Sequence, residues 1–211
     1  MKMRPAIVVL AAGTSRRVDG AARRPGLHPL DGNVLATTLR HAIETRLPLV
    51  VVTTAALAPS AARLVATRDI VELSVDDLAR GLGHEIATGV SARADAQGWV
   101  VLPANMPLVR PLSMLAVAAA LELHAVAYAQ YRGRGGRLLG FAAELYSELM
   151  RLTGDDGARR MVARYPAFGV DVDDHGVLVG IDTEAELLAA DSAPGGTPPR
   201  TAAVSPAGDA G

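Results

Sequence analysis

Short runs that are apolar at every position alternate along this chain with longer stretches whose apolar residues recur three and four places apart. Ala6-Ile7-Val8-Val9-Leu10-Ala11 is the clearest of the runs, and an unbroken apolar run is the pattern of a strand covered on both faces. Similar runs predict strands over 5–11, 48–54, 69–73, 98–103 and 125–130. Helical spacing predicts helices over 33–46, 57–67, 83–95, 110–123, 142–152 and 156–164. Two further short strands, 167–172 and 177–181, flank the turn Asp173-Asp174-His175-Gly176. A last helix starts at Thr183, where Glu186 three residues later completes a capping-box pattern. Tyr131-Arg132-Gly133-Arg134-Gly135-Gly136-Arg137 is too rich in glycine for an element interior and reads as a loop or hairpin tip. Strands alternating with helices predict an α/β protein whose mostly parallel sheet is covered on both faces. One domain is expected over 1–190. Residues 191–211 carry no periodicity and read as a disordered tail.

Composition narrows the picture. At 211 residues the chain is long enough for one sizeable core, yet it has only one Trp, four Tyr and two Phe. The core therefore falls to Ala, Val, Leu and Ile. With 21 basic and 22 acidic residues the net charge is −1, which excludes a strongly basic nucleic-acid surface. The absence of cysteine excludes a disulfide framework, a thiolate nucleophile and a Cys-ligated metal. The opening apolar run is short and leads into Gly13 and arginines, unlike a signal peptide, and no segment approaches a membrane span. A soluble, cytoplasmic protein is the expectation.

Candidate chemistry sits where apolar strands end. After Leu10 the chain reads Ala11-Ala12-Gly13-Thr14-Ser15-Arg16-Arg17, a small-residue loop whose N–H groups can approach a phosphate while the arginines supply charge. It has neither Walker nor dinucleotide glycine spacing, and an ordinary strand-to-helix turn with solvated arginines is the competing reading. Ligands of an open parallel sheet bind outside the carboxyl ends of its strands. The second place to look is therefore Asn105-Met106-Pro107-Leu108-Val109, which follows Trp99-Val100-Val101-Leu102-Pro103-Ala104. A third is Gly81-Leu82-Gly83-His84-Glu85-Ile86-Ala87-Thr88-Gly89-Val90, where free N–H groups at a helix start could receive a base or phosphate.

Together these segments resemble the MobA-like nucleotidyltransferases, the branch that includes molybdenum cofactor cytidylyltransferase. Leu10 to Arg17 is similar to that family's L-A-A-G-x-S-x-R, and Gly81 to Val90 to its G-[LM]-x-x-S-[IL]-x-x-G, with Glu85 at the serine. Leu102 to Val109 resembles L-x-x-D-x-P-[LF]-V. Leu152-Thr153-Gly154-Asp155-Asp156-Gly157-Ala158-Arg159 resembles L-x-G-D-x-G-A-R, and Ile181-Asp182-Thr183 with Glu186-Leu187 resembles its I-D-T ending. The resemblance runs in order from about residue 5 to 189. It implies a Rossmann-like three-layer sandwich of the nucleotide-diphospho-sugar transferase type. It also implies transfer of a nucleoside monophosphate from an NTP, CTP favoured, to a phosphorylated acceptor such as molybdopterin cofactor, with Mg²⁺ as cofactor and pyrophosphate released. Carried over, Leu10, Ala11, Ala12, Gly13, Thr14, Ser15, Arg24, Gly83, His84 and Gly89 would bind nucleotide. Arg17 and Asn105 would be catalytic, and Asn105 and Asp182 would hold the metal.

The departures fall on the chemistry. Asn105 stands at the family's metal aspartate and brings no negative charge. The family's lysine before L-L-P-L falls on Pro25, and Lys2 is the only lysine in the chain, leaving Arg23 or Arg24 as substitutes. The loop G-H-P-V is Gly136-Arg137-Leu138-Leu139, and the aspartate before I-D-T is Gly180. A second reading follows: a catalytically weakened homologue that binds nucleotide or cofactor and serves a molybdenum enzyme as an accessory or delivery partner. A third, remote, is recruitment of the 132–137 loop to an anionic substrate of sugar-nucleotide or redox chemistry.

Other polar residues have plain readings. His28, His41, His84, His124 and His175 show no metal-ligand spacing, and only His84 lies in a motif. Asp76-Asp77 and Asp171, Asp173 and Asp174 read as solvated turns, with Asp171 and Asp173 metal-linked only if their loop folds over the site, and Asp155 with Arg159 as a helix-start ion pair or a cap. The Leu112 to Leu123 run is a core helix or a subunit interface.

Overall fold

The computed structural model describes residues 4–12, 32–181 and 184–192. Its centre is a seven-stranded sheet in the order β3-β2-β1-β4-β6-β5-β7. The strands are β1 (Ala6–Leu10), β2 (Leu49–Thr54), β3 (Ile70–Leu73), β4 (Gly98–Pro103), β5 (Val126–Tyr131), β6 (Arg134–Ala142) and β7 (Ala167–Asp171). β1 lies parallel between β2 and β4, with Leu10 opposite Val52 on one side and Pro103 on the other. β3 continues the parallel half and β7 lies parallel to β5, while β6 runs antiparallel to both β4 and β5. The helices are α1 (Gly32–Glu44), α2 (Ala58–Ala61), α3 (Val75–Ala79), α4 (Leu82–Ser91), α5 (Pro111–Ala120), α6 (Tyr146–Leu149), α7 (Gly157–Arg164) and α8 (Glu184–Ser192).

β1 is apolar at every position because both of its faces are covered. Ile7 and Val9 pack with Leu35 and Leu39 of α1 and Met114 and Val117 of α5. Val8 and Leu10 point the other way, toward Ile86 and Val90 of α4, Trp99 and Phe141. The result is a Rossmann-like three-layer α/β sandwich. α4 comes very close to the sheet through Gly89, where a Cβ would strike Val8 and stand 3.0 Å from Val52. Among the described residues no helix is long and apolar enough to cross a membrane.

The structure corrects the elements around the antiparallel strand. Residues 131–137 are not all loop: Arg132 (φ 51°) and Gly133 (φ 73°) make a two-residue hairpin turn, and β6 begins at Arg134. Two successive residues in the left-handed region match the twist of a tight hairpin. The helix expected over 142–152 is shortened from its start, because β6 runs to Ala142 and a 3₁₀ turn over Ala143–Leu145 precedes α6. The strand expected over 177–181 is replaced by a 3₁₀ turn, His175–Leu178. The helix expected over 57–67 is regular only in α2. α5 buries Met114, Val117 and Ala118 on the sheet and leaves Leu112 exposed, with Leu123 exposed just beyond its end. Thr183, the expected cap of α8, and the tail beyond 192 lie outside the described residues.

Candidate functional site at the carboxyl ends of β1 and β4

α1, which follows β1, lies on one face of the sheet; α4, which leads into β4, lies on the other. α1 and α5, which follow β1 and β4, share the first face, and the candidate crevice lies at the carboxyl ends of these adjacent parallel strands, where such sheets take ligands. Backbone bonds fix the floor of the crevice. The Ala11 N–H donates to the Val52 carbonyl (2.7 Å), and the Ala104 N–H to that of Leu10 (2.8 Å). The Thr38 hydroxyl of α1 donates to the Ala104 carbonyl at 2.7 Å. Gly13, Thr14, Ser15, Arg16, Arg17, Arg23, Arg24, Pro25, His28 and Asp182 lie outside the described residues. The start of the opening loop is nonetheless fixed, because the Ala12 N–H donates to Oε1 of Glu85 at 2.8 Å. Glu85 is 3% exposed. Sequence reasoning registered it only as a departure at a serine, although a carboxylate on the apolar face of a helix signals a committed partner.

Asn105 is 8% exposed and held from both ends. Its backbone carbonyl accepts the Ile181 N–H at 2.7 Å. Its side-chain oxygen accepts from Nη2 of Arg137 on β6 at 3.1 Å. Asp174, read from sequence as a solvated turn residue, is instead 3% exposed. Its Oδ2 accepts from the Arg110 N–H (2.8 Å) and the Ser113 hydroxyl (2.6 Å), and its Oδ1 from the Gly176 N–H (2.9 Å). Gly176 packs directly on the Leu108 carbonyl. Asp174 thus ties the 3₁₀ turn to the segment that follows Asn105, and the loop between them is buried because its donors are satisfied.

The start of α4 is not open to a phosphate as expected. The Leu82 N–H goes to Oδ1 of Asp155 (3.2 Å) and the Gly83 N–H to the Gly154 carbonyl (2.8 Å). Gly83 and Gly89 are glycines of close packing: a Cβ at Gly83 would lie 2.8 Å from the Thr153 nitrogen. Asp155, read from sequence as a helix-start ion-pair partner or a cap, caps the neighbouring α4. His84 turns toward α3, with Nε2 3.1 Å from Asp77 and 3.3 Å from Arg80.

Asp77 also forms a capping box with Ser74. Its carboxyl is held below the ordinary value of 3.8, chiefly by the Ser74 hydroxyl and backbone N–H and then by His84. A depressed carboxylate contributes stability above its ordinary value and loses it as pH falls through the folded value. Denaturant titrations on either side of pH 3.8 should show this loss, and Ser74→Ala should flatten it.

A divalent metal is a poor fit at Asn105. A neutral amide oxygen stands where a carboxylate would be wanted, and a guanidinium already donates to it. A dication on the same oxygen would sit about 5 Å from that charge, a repulsion of a few kcal/mol after solvent screening. Among the described residues no group of three His, Cys, Asp or Glu side chains could hold a metal ion.

Comparison with known proteins agrees with this fold. No curated protein matches the sequence. The crystal structure of Rv0371c from Mycobacterium tuberculosis H37Rv is 23% identical, with a TM-score of 0.69 over 90% of this chain and 97% of that one. The same protein in complex with manganese is 22% identical, with a TM-score of 0.66 over 90% of this chain and 100% of that one. A CMP:2-keto-3-deoxy-manno-octonic acid synthetase complexed with CTP shares 13% identity and a TM-score of 0.62, over 88% and 96% of the two chains. The family model for the MobA-like NTP transferase domain matches residues 7–168. The β1–β4 crevice thus lies in a protein that belongs to the MobA-like NTP transferase domain family.

Proposed function

We propose that this chain binds a nucleoside triphosphate, CTP by preference, in the β1–β4 crevice. It transfers the nucleoside monophosphate to a phosphorylated acceptor of the molybdopterin type, in the cytoplasm. The observation that carries the reading is the pairing of β1 with β4, which sets Ala12 and Asn105 beyond adjacent strand ends, each fixed by a hydrogen bond from a distant part of the chain. Family membership and the CTP held by one structural neighbour support the nucleotide class. In this reading Leu10, Ala11 and Ala12 deliver the opening loop to the crevice. Gly13, Thr14 and Ser15 offer N–H groups to the triphosphate, and Arg17 and Arg24 bring positive charge. An oxygen of the acceptor phosphate forms a bond to the α-phosphorus as the bond to the β-phosphate oxygen breaks, and pyrophosphate leaves. Positioning and neutralisation of charge supply the catalysis. The Mg²⁺ expected at Asn105 and Asp182 is favoured by the neighbour's manganese but opposed by the Asn105–Arg137 bond, so no step is assigned to it.

That bond favours a second reading, in which the chain holds nucleotide or cofactor without turning it over and serves a molybdenum enzyme as an accessory. Pyrophosphate release from CTP in the presence of molybdopterin separates the two. Release above the uncatalysed rate is expected for the transferase. Saturable CTP binding with no release would replace it with the accessory reading.

A further inference from the structure

The bond between Arg137 and Asn105 has a steric counterpart across the crevice. Gly180 carries no side chain, and a Cβ there would collide with Nη1 of Arg137 and stand 3.1 Å from Nδ2 of Asn105. Three residues far apart in the chain therefore meet: an amide that accepts from a guanidinium, the guanidinium, and a glycine packed beside both. The Ile181 N–H, next to Gly180, donates to the Asn105 carbonyl and holds the third member against the first. Arg137 comes from β6, the strand antiparallel to β4, so its side chain arrives at the carboxyl end of β4. Arg137 is an exposed residue. Arginine presents a planar fork of N–H donors that matches phosphate oxygens, and it keeps its charge at any physiological pH.

We propose that Arg137 takes the place of a divalent cation in the β1–β4 crevice. Held on Asn105 beside Gly180, its guanidinium binds the phosphate groups of a nucleotide without metal. The proposal rests on the nucleotide-binding reading above for the identity of the ligand, but not for the anion site itself.

The test is calorimetric titration of the full chain with CTP, and separately with inorganic pyrophosphate, in EDTA and in excess Mg²⁺. Wild-type protein is expected to bind CTP in EDTA with a dissociation constant within about twofold of that in Mg²⁺. Arg137→Gln, at an exposed position, should keep its thermal melt and lose about 10- to 100-fold in EDTA affinity, the worth of one or two charge-assisted bonds. Arg137→Lys should restore part of it. CTP binding that demands Mg²⁺, or that Arg137→Gln leaves unchanged in EDTA, would overturn the proposal while leaving the nucleotide reading intact. Pyrophosphate binding in EDTA that Arg137→Gln abolishes, with no nucleotide bound, would uphold the arginine site and sink the nucleotide reading. Binding of neither anion would overturn the arginine site as well.

Discussion

Asp174→Ala is expected to lower the free energy of unfolding by about 3 kcal/mol, among the larger effects of a single polar substitution. The carboxylate accepts from two backbone N–H groups, those of Arg110 and Gly176, and from the Ser113 hydroxyl, all within 2.9 Å. Asp174 is 3% exposed, so water has little access to replace it. Each buried donor left unpaired costs about 1–3 kcal/mol. Ser113 can turn its hydroxyl elsewhere, whereas the two N–H groups are fixed by the backbone. For a chain of this size the loss corresponds to a fall in melting temperature of about 6–12 °C. Asp174→Asn keeps one acceptor oxygen and should recover about half of the loss. A melt of Asp174→Ala within a degree of wild type would mean that the 3₁₀ turn is not anchored as described.

Glu85→Ala is expected to cost about 2–3 kcal/mol and to weaken nucleotide binding at least tenfold, measured by urea unfolding and by CTP titration. The two effects have different origins. The stability loss comes from the orphaned Ala12 N–H and from the hole left among the packed residues of α4. The binding loss comes from the loop: Ala12 is the last described residue before the glycine-containing segment, and Glu85 fixes its backbone. Glu85→Gln keeps an acceptor of the same shape and should retain most of the affinity. If Glu85→Ala lost stability but bound CTP as wild type does, the opening loop would not be part of the site.

The parallel half of the fold was legible because its signal is local. β1, β2 and β4 are apolar at nearly every position, the direct mark of strands buried on both faces. β6 was not legible, and the reason is physical. Gly135 and Gly136 remove the alternating side chains by which a strand is recognised, and they do so because other parts of the molecule press on them. A Cβ at Gly136 would lie 2.6 Å from the Val177 carbonyl of the 3₁₀ turn, and one at Gly135 3.3 Å from the Tyr128 ring. A glycine-rich stretch that reads as loop is here a strand with neighbours on top of it.

The same contrast holds at the site. Asn105 could be found from sequence because it ends an apolar strand and precedes a proline. Its partner Arg137 lies 32 residues away, in the stretch read as a loop or hairpin tip, so neither the bond nor the packing of Gly180 beside it could be read. Glu85 and Asp174 were hidden for a related reason. Each looks like an ordinary surface acid until the fold brings a backbone N–H from 73 or 64 residues away to meet it. Buried carboxylates acquire meaning only from partners that sequence spacing does not reveal.

The claim that nucleotide binds between β1 and β4 is tested most directly by thermal denaturation of the full chain with CTP, GTP and ATP, each with and without Mg²⁺. A ligand present at about 100 times its dissociation constant adds about 2.7 kcal/mol, which moves the midpoint by about 5–10 °C. A shift of that size with CTP, larger than with GTP or ATP and present without Mg²⁺, is the predicted result. No shift with any of the three nucleotides under either condition would contradict the account.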